Sequence, residues 1–160
     1  MTNFTVRPNT QQDQPWIQEL ITHRWGSEII VVHEESITSA QLPCFIAEIN
    51  KENVGLITYR FKQNQCEIIT LDSLQARHGI GSALICTVKM VAKEHGCLRL
   101  YLVTTNDNTA AMRFYQQLGF SILRVYRFAV DKARLIKPQI PMVGNDNIPI
   151  HDEIEMEMKL

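Results

Sequence analysis

Two glycines, Gly79 and Gly81, lie one residue apart between an apolar run and a segment with helical spacing. A glycine pair at such a junction allows the tight turn that joins a strand to a helix, because no Cβ intrudes. The amides that open the following helix have no acceptor inside it, and the helix dipole makes them positive. Arg77 and His78 add positive or protonatable groups beside the turn. The segment therefore predicts a site for a phosphate or pyrophosphate.

The common phosphate-binding fingerprints do not match this turn. A dinucleotide fingerprint needs a third glycine where this chain has Leu84, and the P-loop needs a lysine that does not follow Gly81. These absences argue against a regulator that uses the turn to bind ATP or NAD. The pair of glycines alone is also consistent with a purely structural turn.

A second motif spans residues 108–120. Asn108 belongs to the residue types that cap helices, and Gly119 suits the left-handed residue that ends one. Apolar side chains recur between them at helical spacing: Ala111, Phe114, Tyr115 and Leu118. By itself this pattern predicts an amphipathic helix packed on a sheet, with Tyr115 as a core aromatic residue.

Together the two motifs, A-R-H-G-I-G-S-A-L and N-x-x-A-x-x-F-Y-x-x-L-G-F, resemble the acetyl-CoA-binding core of the GNAT N-acetyltransferases. The resemblance covers residues 45–128, the expected cofactor-binding core. It departs from the family at Ala76, where the family has Gln or Arg; Gln75 and Arg77 flank that position. A helix, a loop and a strand over 129–160 complete the expected single domain of residues 1–160.

Apolar runs separated by polar turns predict antiparallel strands at 44–49, 54–61 and 66–73. The strand–helix–strand unit over 66–105 should be parallel and right-handed. We therefore predict an α/β fold with a mixed sheet of about seven strands and helices on both faces. The resemblance to the GNAT fold further implies that this sheet is splayed.

Two segments lead to more specific expectations. Residues 34–42 are ambiguous, and we predict a short helical turn there.

Residues 152–160 alternate between polar and apolar side chains, as a half-buried strand does, and we expect an edge strand with its acidic side in water. A cation-binding acidic face is the alternative. An exposed edge there would give a homodimer a pairing surface.

Composition argues against several other classes of protein. A formal net charge of −1 and a pI of about 6.5 do not indicate a nucleic-acid partner, and the apolar runs are too short to span a membrane. Residues 1–7 contain no apolar signal region. The cysteines form no CxxC pair and no Cys/His cluster with ligand spacing, which predicts buried reduced thiols, a cytoplasmic location and no metal site. These cysteines are Cys44, Cys66, Cys86 and Cys97.

The resemblance implies which residues bind acetyl-CoA as a co-substrate. The backbone from Leu71 to Ser73 would run beside the pantetheine arm as an added strand does. The glycine turn would hold the pyrophosphate, largely through backbone amides, with these residues: Arg77, His78, Gly79, Ile80, Gly81 and Ser82. Asn108 matches the family asparagine that touches the cofactor arm, although a helix cap explains it equally well.

Acetyl transfer to an amine needs a proton acceptor for the amine, donors for the oxyanion and a proton for the departing thiolate. The resemblance implies the amide of Leu71 as the oxyanion donor and Tyr115 as the proton donor to sulfur. Glu67 is the predicted base, because several family members use an acidic residue on this strand. Asp72 and His33 are its rivals; by the period of two, Asp72 should face away from Glu67.

The expected function is therefore an acetyl-CoA-dependent N-acetyltransferase that acts on a primary amine of a small molecule or peptide by direct attack on the thioester. A non-catalytic CoA-binding module, used in sensing or assembly, is the alternative. The motifs do not identify the acceptor. Trp25, Glu28, Arg127 and the loop at 137–151 are the candidate lining of its pocket.

Overall fold

A computed structural model describes residues 3–160 of the chain. Met1 and Thr2, which belong to the predicted domain and to the segment without a signal region, lie outside the described residues. The strands are β1 (Thr5–Pro8), β2 (Ile29–Val32), β3 (Glu35–Thr38), β4 (Cys44–Ile49), β5 (Glu52–Lys62), β6 (Gln65–Ser73), β7 (Arg99–Thr105), β8 (Ser121–Tyr126) and β9 (Glu153–Lys159). The α-helices are α1 (Gln14–Trp25), α2 (Ile80–Glu94), α3 (Thr109–Gln117) and α4 (Ala129–Ile136).

Seven strands form one sheet in the order β1-β4-β5-β6-β7-β9-β8, and β2 and β3 form a separate hairpin. Within residues 3–160, β6 and β7 are the parallel pair of the large sheet, and its other neighbours are antiparallel. The predicted mixed sheet of seven strands is therefore confirmed. The parallel pair is joined by α2, as a strand–helix–strand unit requires.

Helices cover both faces of the sheet, as predicted. On one face, Leu84 and Val88 of α2 pack into the main core with Leu100 of β7, and all three are fully buried. On the other face, Ile17 and Ile21 of α1 pack beneath β4 and β5. Each helix packs one apolar stripe against the sheet, and the helical periodicity of the sequence shows which face of the helix this is.

The sheet splays between β6 and β7. The two strands pair only from Gln65↔Arg99 to Ile68↔Leu102. Beyond this point β6 stays paired with β5, and β7 stays paired with β9. Each strand therefore keeps a partner on its outer side while the edges that face each other part, which confirms the splay that the resemblance implied.

A β-bulge in β6 changes the direction of its side chains. Tyr59 of β5 pairs with Ile68, but the next residue, Thr58, pairs with Thr70, which leaves Ile69 as an extra residue. An extra residue reverses the alternation of faces along the rest of a strand. Asp72 therefore lies on the same face of the sheet as Glu67, and the expectation of opposite faces was wrong.

Residues 34–42 were predicted as a helical turn, but only Ser39–Gln41 form a 3₁₀ turn. Glu35–Thr38 is a strand that pairs with Ile29–Val32. His33 and Glu34, at the tip of this hairpin, both have positive φ angles, 49° and 63°. Two consecutive positive φ angles are typical of the tight turns that join twisted strands, so a non-glycine hairpin turn was overlooked.

The C-terminal strand β9 lies inside the sheet, between β7 and β8. The expected edge strand with a solvated acidic face was therefore wrong, and so was the pairing surface assigned to it. Glu153 and Glu155 are only 3% and 5% exposed. The chain leaves β8 for α4 and then returns to pair with strands on both sides, and it is β8 that forms the edge.

Three of the four cysteines are buried, in agreement with the prediction, but Cys86 is exposed on α2. It lies on the face of the helix opposite Leu84 and Val88, which are the residues that contact the sheet. The four side chains are free thiols in the structure.

The interior position of β9 predicts unequal costs for two paired residues. Met156 of β9 is fully buried, whereas its cross-strand partner Ile122 of β8 is 49% exposed. Met156→Ala should lower the free energy of unfolding by about 2–5 kcal/mol, because a cavity opens in the core. Ile122→Ala should cost less than about 1 kcal/mol. Urea unfolding of both variants measures the difference, and equal costs would contradict the assigned strand order.

Candidate active site

The parted strands border a crevice of about 430 Å³. Leu71 and Asp72 line it from β6, Val103 and Thr104 from β7, and Tyr115 from α3. Beyond the last paired residues, the facing edges of β6 and β7 no longer bond to each other. An extended ligand can therefore bond to this free backbone as an added strand would.

Tyr115 combines a packed ring with a free hydroxyl. The ring packs against Phe114 and Phe120, at centroid distances of 5.3 Å and 5.6 Å. Tyr101 donates its hydroxyl to Glu67, but the Tyr115 hydroxyl makes no hydrogen bond within residues 3–160. Burial, and next the charge of Asp72, raise the pKa of Tyr115 above its usual value of 10.0. The phenol is thus held protonated on the crevice wall.

Asp72 is the one carboxylate on the crevice wall within residues 3–160. It is 8% exposed, and its Oδ2 accepts a hydrogen bond of 3.0 Å from Nε1 of Trp25. Burial raises the pKa of Asp72 above its usual value of 3.8, while the bond from Trp25 and the charge of Arg24 act against this rise. Asp72 is therefore a buried acid–base group that lies next to a protonated phenol.

The glycine turn joins β6 to α2. Residues 77–82 lie outside the crevice lining; of the predicted cofactor residues, only Leu71, Asn108 and Tyr115 belong to it. Arg77 and Gly79 have positive φ angles of 62° and 76°, and the helix begins at Ile80. A Cβ on Gly81 would lie 3.1 Å from Cζ of Phe114 and 3.9 Å from Cδ2 of Leu71. Gly81 therefore lets the free amides of the first helical turn approach the strand that lines the crevice.

The other predicted cofactor residues lie around the same turn and crevice. Arg77 and His78 are exposed, and His78 contacts the carbonyl of Ala76 through Nδ1 at 2.8 Å. The Ser73 hydroxyl donates to the carbonyl of Gln75 at 3.0 Å. Asn108 caps α3 by accepting the amide of Ala111 at 3.4 Å, and it also lines the crevice. The cap and a position beside a ligand are thus compatible.

Glu67, the predicted base, lies outside the crevice lining. It is 2% exposed, and its Oε2 accepts hydrogen bonds from Nε of Arg60 at 2.8 Å and from the Tyr101 hydroxyl at 3.1 Å. His33, a rival, pairs through Nδ1 with Glu153 at 2.8 Å. Neither Glu67 nor His33 lines the crevice or the second cavity described next.

A second cavity of about 440 Å³, here called the chamber, joins the crevice. The two cavities share six lining residues: Arg24, Trp25, Ile69, Val103, Thr104 and Asn108. Apolar residues of β2 and α4 form much of the remaining wall, and Lys137, residues 139–141 and Glu153 also line it. Among the candidate acceptor residues Trp25 lines the chamber, but Glu28 and Arg127 do not.

Residues 137–151 form an anchored wall of the chamber. Asp107 Oδ2 accepts the backbone and side-chain N–H groups of Asn145, each at 3.0 Å. Asn106 Oδ1 accepts the backbone amides of His151 and Asp152. Lys137 Nζ donates to two backbone carbonyls, that of Trp25 at the end of α1 at 2.7 Å and that of Ile29 at the start of β2 at 2.9 Å.

Sequence reasoning missed these anchors, although Asn106 and Asp107 directly follow β7, where polar side chains often fix a neighbouring loop. It also missed Glu153 and Lys137. The alternating acidic pattern of β9 was noticed, but it was assigned to solvent.

Comparison with known proteins identifies the family. The sequence profile described as Acetyltransferase (GNAT) family matches residues 10–120. Two proteins of Bacillus subtilis (strain 168), both described as uncharacterized, are similar over most of their length. YxbD is 36% identical, covering 98% of this chain and 99% of its own. YdhI is 38% identical, covering 93% and 94%.

A solved structure agrees in fold: a GNAT family acetyltransferase from Elizabethkingia anophelis with acetyl-CoA bound. It has a TM-score of 0.69 at 21% identity and covers 100% of both chains. A splayed mixed sheet beside a glycine turn thus defines the class of fold. The chain belongs to the GNAT acetyltransferase family, as the two motifs predicted.

None of the helices within residues 3–160 is long and apolar enough to cross a membrane. The same residues contain no group of three or more His, Cys, Asp or Glu side chains placed to hold a metal ion.

The buried position of Asp72 predicts a pH-dependent effect on stability. Its pKa is raised in the folded chain, so the carboxylate costs stability above the folded-state pKa, and this cost disappears below the unfolded value near 3.8. Asp72→Asn should therefore unfold at higher urea than the wild type at neutral pH, with a smaller difference in acid. Glu52→Gln, at an exposed position, controls for the loss of one charge. A gain of Asp72→Asn over the wild type that is no larger at neutral pH than in acid would contradict the raised pKa.

Proposed function

We propose that this chain is an acetyl-CoA-dependent N-acetyltransferase that transfers the acetyl group directly to a primary amine of a small molecule or peptide. The observation that carries the proposal is the free hydroxyl of Tyr115 beside the buried carboxylate of Asp72. Leu71 on the crevice wall lies beside Gly81 of the glycine turn, and the crevice joins a chamber large enough for an acceptor.

The residues around the crevice fit acetyl-CoA. The amides of residues 79–82 and the side chain of Arg77 suit the pyrophosphate, and the free edge of β6 from Leu71 to Ser73 suits the pantetheine amides. A Cβ on Gly81 would meet the ring of Phe114, so this glycine lets the start of α2 pack closely beside Phe114 and Leu71. Bound acetyl-CoA supplies an activated acyl carbon, where a C–N bond to the amine forms as the C–S bond breaks.

Leu71 and Tyr115 would stabilise the negative charge that develops on the thioester oxygen and on the departing sulfur. The amide of Leu71 donates to the carbonyl oxygen of the thioester as negative charge develops on it. The hydroxyl of Tyr115 gives its proton to the sulfur as it leaves. Burial keeps the pKa of Tyr115 above 10.0, so the phenol carries this proton at neutral pH.

Two carboxylates compete for the role of proton acceptor. Glu67 was the predicted base because of its position on β6. Its carboxylate, however, accepts hydrogen bonds from Arg60 and Tyr101 and does not line the crevice. Asp72 lies on the crevice wall with Oδ2 bound to Trp25 and with a pKa raised toward the working range of a base. We therefore propose that Asp72 takes the proton from the amine, and that Glu67 supports the sheet.

The proposed function predicts thiol release from acetyl-CoA when a suitable amine is added. Wild-type protein is assayed across a panel of small amines and short peptides, with calorimetry for binding of CoA. Gly81→Glu should lose binding, because its side chain meets Phe114 and places a negative charge near the pyrophosphate. Binding of CoA without thiol release for any amine would favour the alternative, a non-catalytic module.

Tyr115→Phe should lower kcat by about 100-fold or more, because the sulfur loses its proton donor. Binding of CoA should change little, since the ring and its packing against Phe114 and Phe120 stay in place. Tyr59→Phe, on β5 and buried in the main core, is the matched control and should keep full activity. Steady-state kinetics with calorimetry checks this split, and an unchanged kcat in Tyr115→Phe would remove the phenol from the mechanism.

Asp72→Asn and Glu67→Gln distinguish the two candidate bases. Asp72→Asn should lower kcat/KM by about 100-fold and abolish the acidic limb of the pH–rate profile, because no group on the crevice wall then accepts the proton. Glu67→Gln should keep that limb and lower mainly the stability, since it weakens a buried pair with Arg60. The reverse pattern would assign the base to Glu67.

A further inference from the structure

The chamber contains one carboxylate within residues 3–160, that of Glu153, and its walls are otherwise largely apolar. Glu153 is 3% exposed on β9. A buried carboxylate in apolar surroundings is costly unless it is paired or binds a ligand. Glu153 has such a partner in the ring of His33, which lies outside the chamber, so what matters is whether Glu153 keeps bonding capacity on the side of the cavity.

The partners of Glu153 leave part of its bonding capacity free. Both carboxylate oxygens accept the backbone N–H of His33, at 3.3 Å and 3.2 Å, and Oε2 also lies 2.8 Å from its Nδ1. The ring of His33 is fixed in turn by Tyr126, at a centroid distance of 4.3 Å. An ionised carboxylate accepts about four hydrogen bonds. The contacts with His33 occupy Oε2 twice and Oε1 once, so Oε1 of Glu153 can accept a further hydrogen bond while His33 holds the carboxylate in place.

The lysine of the chamber does not neutralise this carboxylate. Lys137 Nζ donates to the backbone carbonyls of Trp25 and Ile29, and it forms no ion pair within residues 3–160. Arg24 lies at the junction with the crevice, where its charge acts on Asp72. The chamber thus has the crevice with Asp72 and Tyr115 at one end and the carboxylate of Glu153 at the other, with largely apolar walls between them.

We propose that the chamber selects a small diamine, with one amino group presented to Asp72 and Tyr115 and the second bound to Glu153. This inference rests on the proposed function, whose acceptor it specifies. The apolar walls would take the hydrocarbon between the two amino groups, and the carboxylate would take the second ammonium through a charge-assisted hydrogen bond.

The test measures binding of the acceptor separately from turnover. Calorimetry on the protein–CoA complex compares straight-chain diamines of increasing length with the monoamine and the ω-amino acid of equal length. The best diamine should bind at least about tenfold more tightly than the monoamine, because a hydrogen bond to a charged group is gained. The ω-amino acid should bind more weakly than either. Equal binding of all three, or a preference for the amino acid, would overturn the proposal.

Two variants assign the effect to the residue. Glu153→Gln should remove the preference for the diamine and leave the monoamine unchanged. Glu157→Gln, on the same strand and face but paired with Arg99 at 2.9 Å, should keep the preference. A preference that survives in Glu153→Gln would sink the proposed site.

Parallel thiol-release assays separate this inference from the proposed function. Acetylation of amines without a preference for diamines would reject the Glu153 site and leave the transferase intact. Tight, Glu153-dependent binding of the diamine without release of thiol would support the site and reject the transferase.

Discussion

The separation of β6 from β7 is the constraint on which the rest of the structure depends. The two strands share only four paired positions before they part. Each stays ordered because it keeps an outer neighbour, β5 for β6 and β9 for β7. The fold can therefore leave two backbone edges free without losing either strand, and the crevice lies between them.

The bulge at Ile69 determines what faces this opening. Without the extra residue, Asp72 would point toward α2, and Leu71 would point toward α1. With it, Leu71 faces the glycine turn, while Asp72 meets Trp25 at the end of α1. One residue of register thus places the side chains of Leu71 and Asp72 on opposite faces of the sheet, and both residues line the crevice with Tyr115.

The strand order also determines where the buried polar groups around the chamber lie. The interior position of β9 carries Glu153 to the chamber, and the anchors at Asn106 and Asp107 hold the returning chain against it. Lys137 joins the end of α4 to the end of α1, on which Trp25 lies. The walls of the chamber are therefore fixed by hydrogen bonds, and they need little reorganisation to receive a ligand.

Short sequence patterns predicted the features that depend only on residues close together in the chain. The stripe of α2, the cap at Asn108 and the glycine turn each depend on neighbouring residues, and the structure has them within a residue or two of the expected positions. The bulge was not predictable, because Ile68, Ile69 and Thr70 are all β-branched and show no break in the pattern. The insertion of β9 between β7 and β8 depends on pairing between distant segments, and its acidic residues therefore looked like a solvated edge.

A crystal structure of the chain with acetyl-CoA tests the central claim most directly. The diphosphate should lie within hydrogen-bonding distance of the amides of residues 79–82, with the pantetheine arm along the free edge of β6. The sulfur should then lie within reach of the Tyr115 hydroxyl. A coenzyme bound elsewhere, or a crevice filled by side chains, would contradict the role of the parted strands.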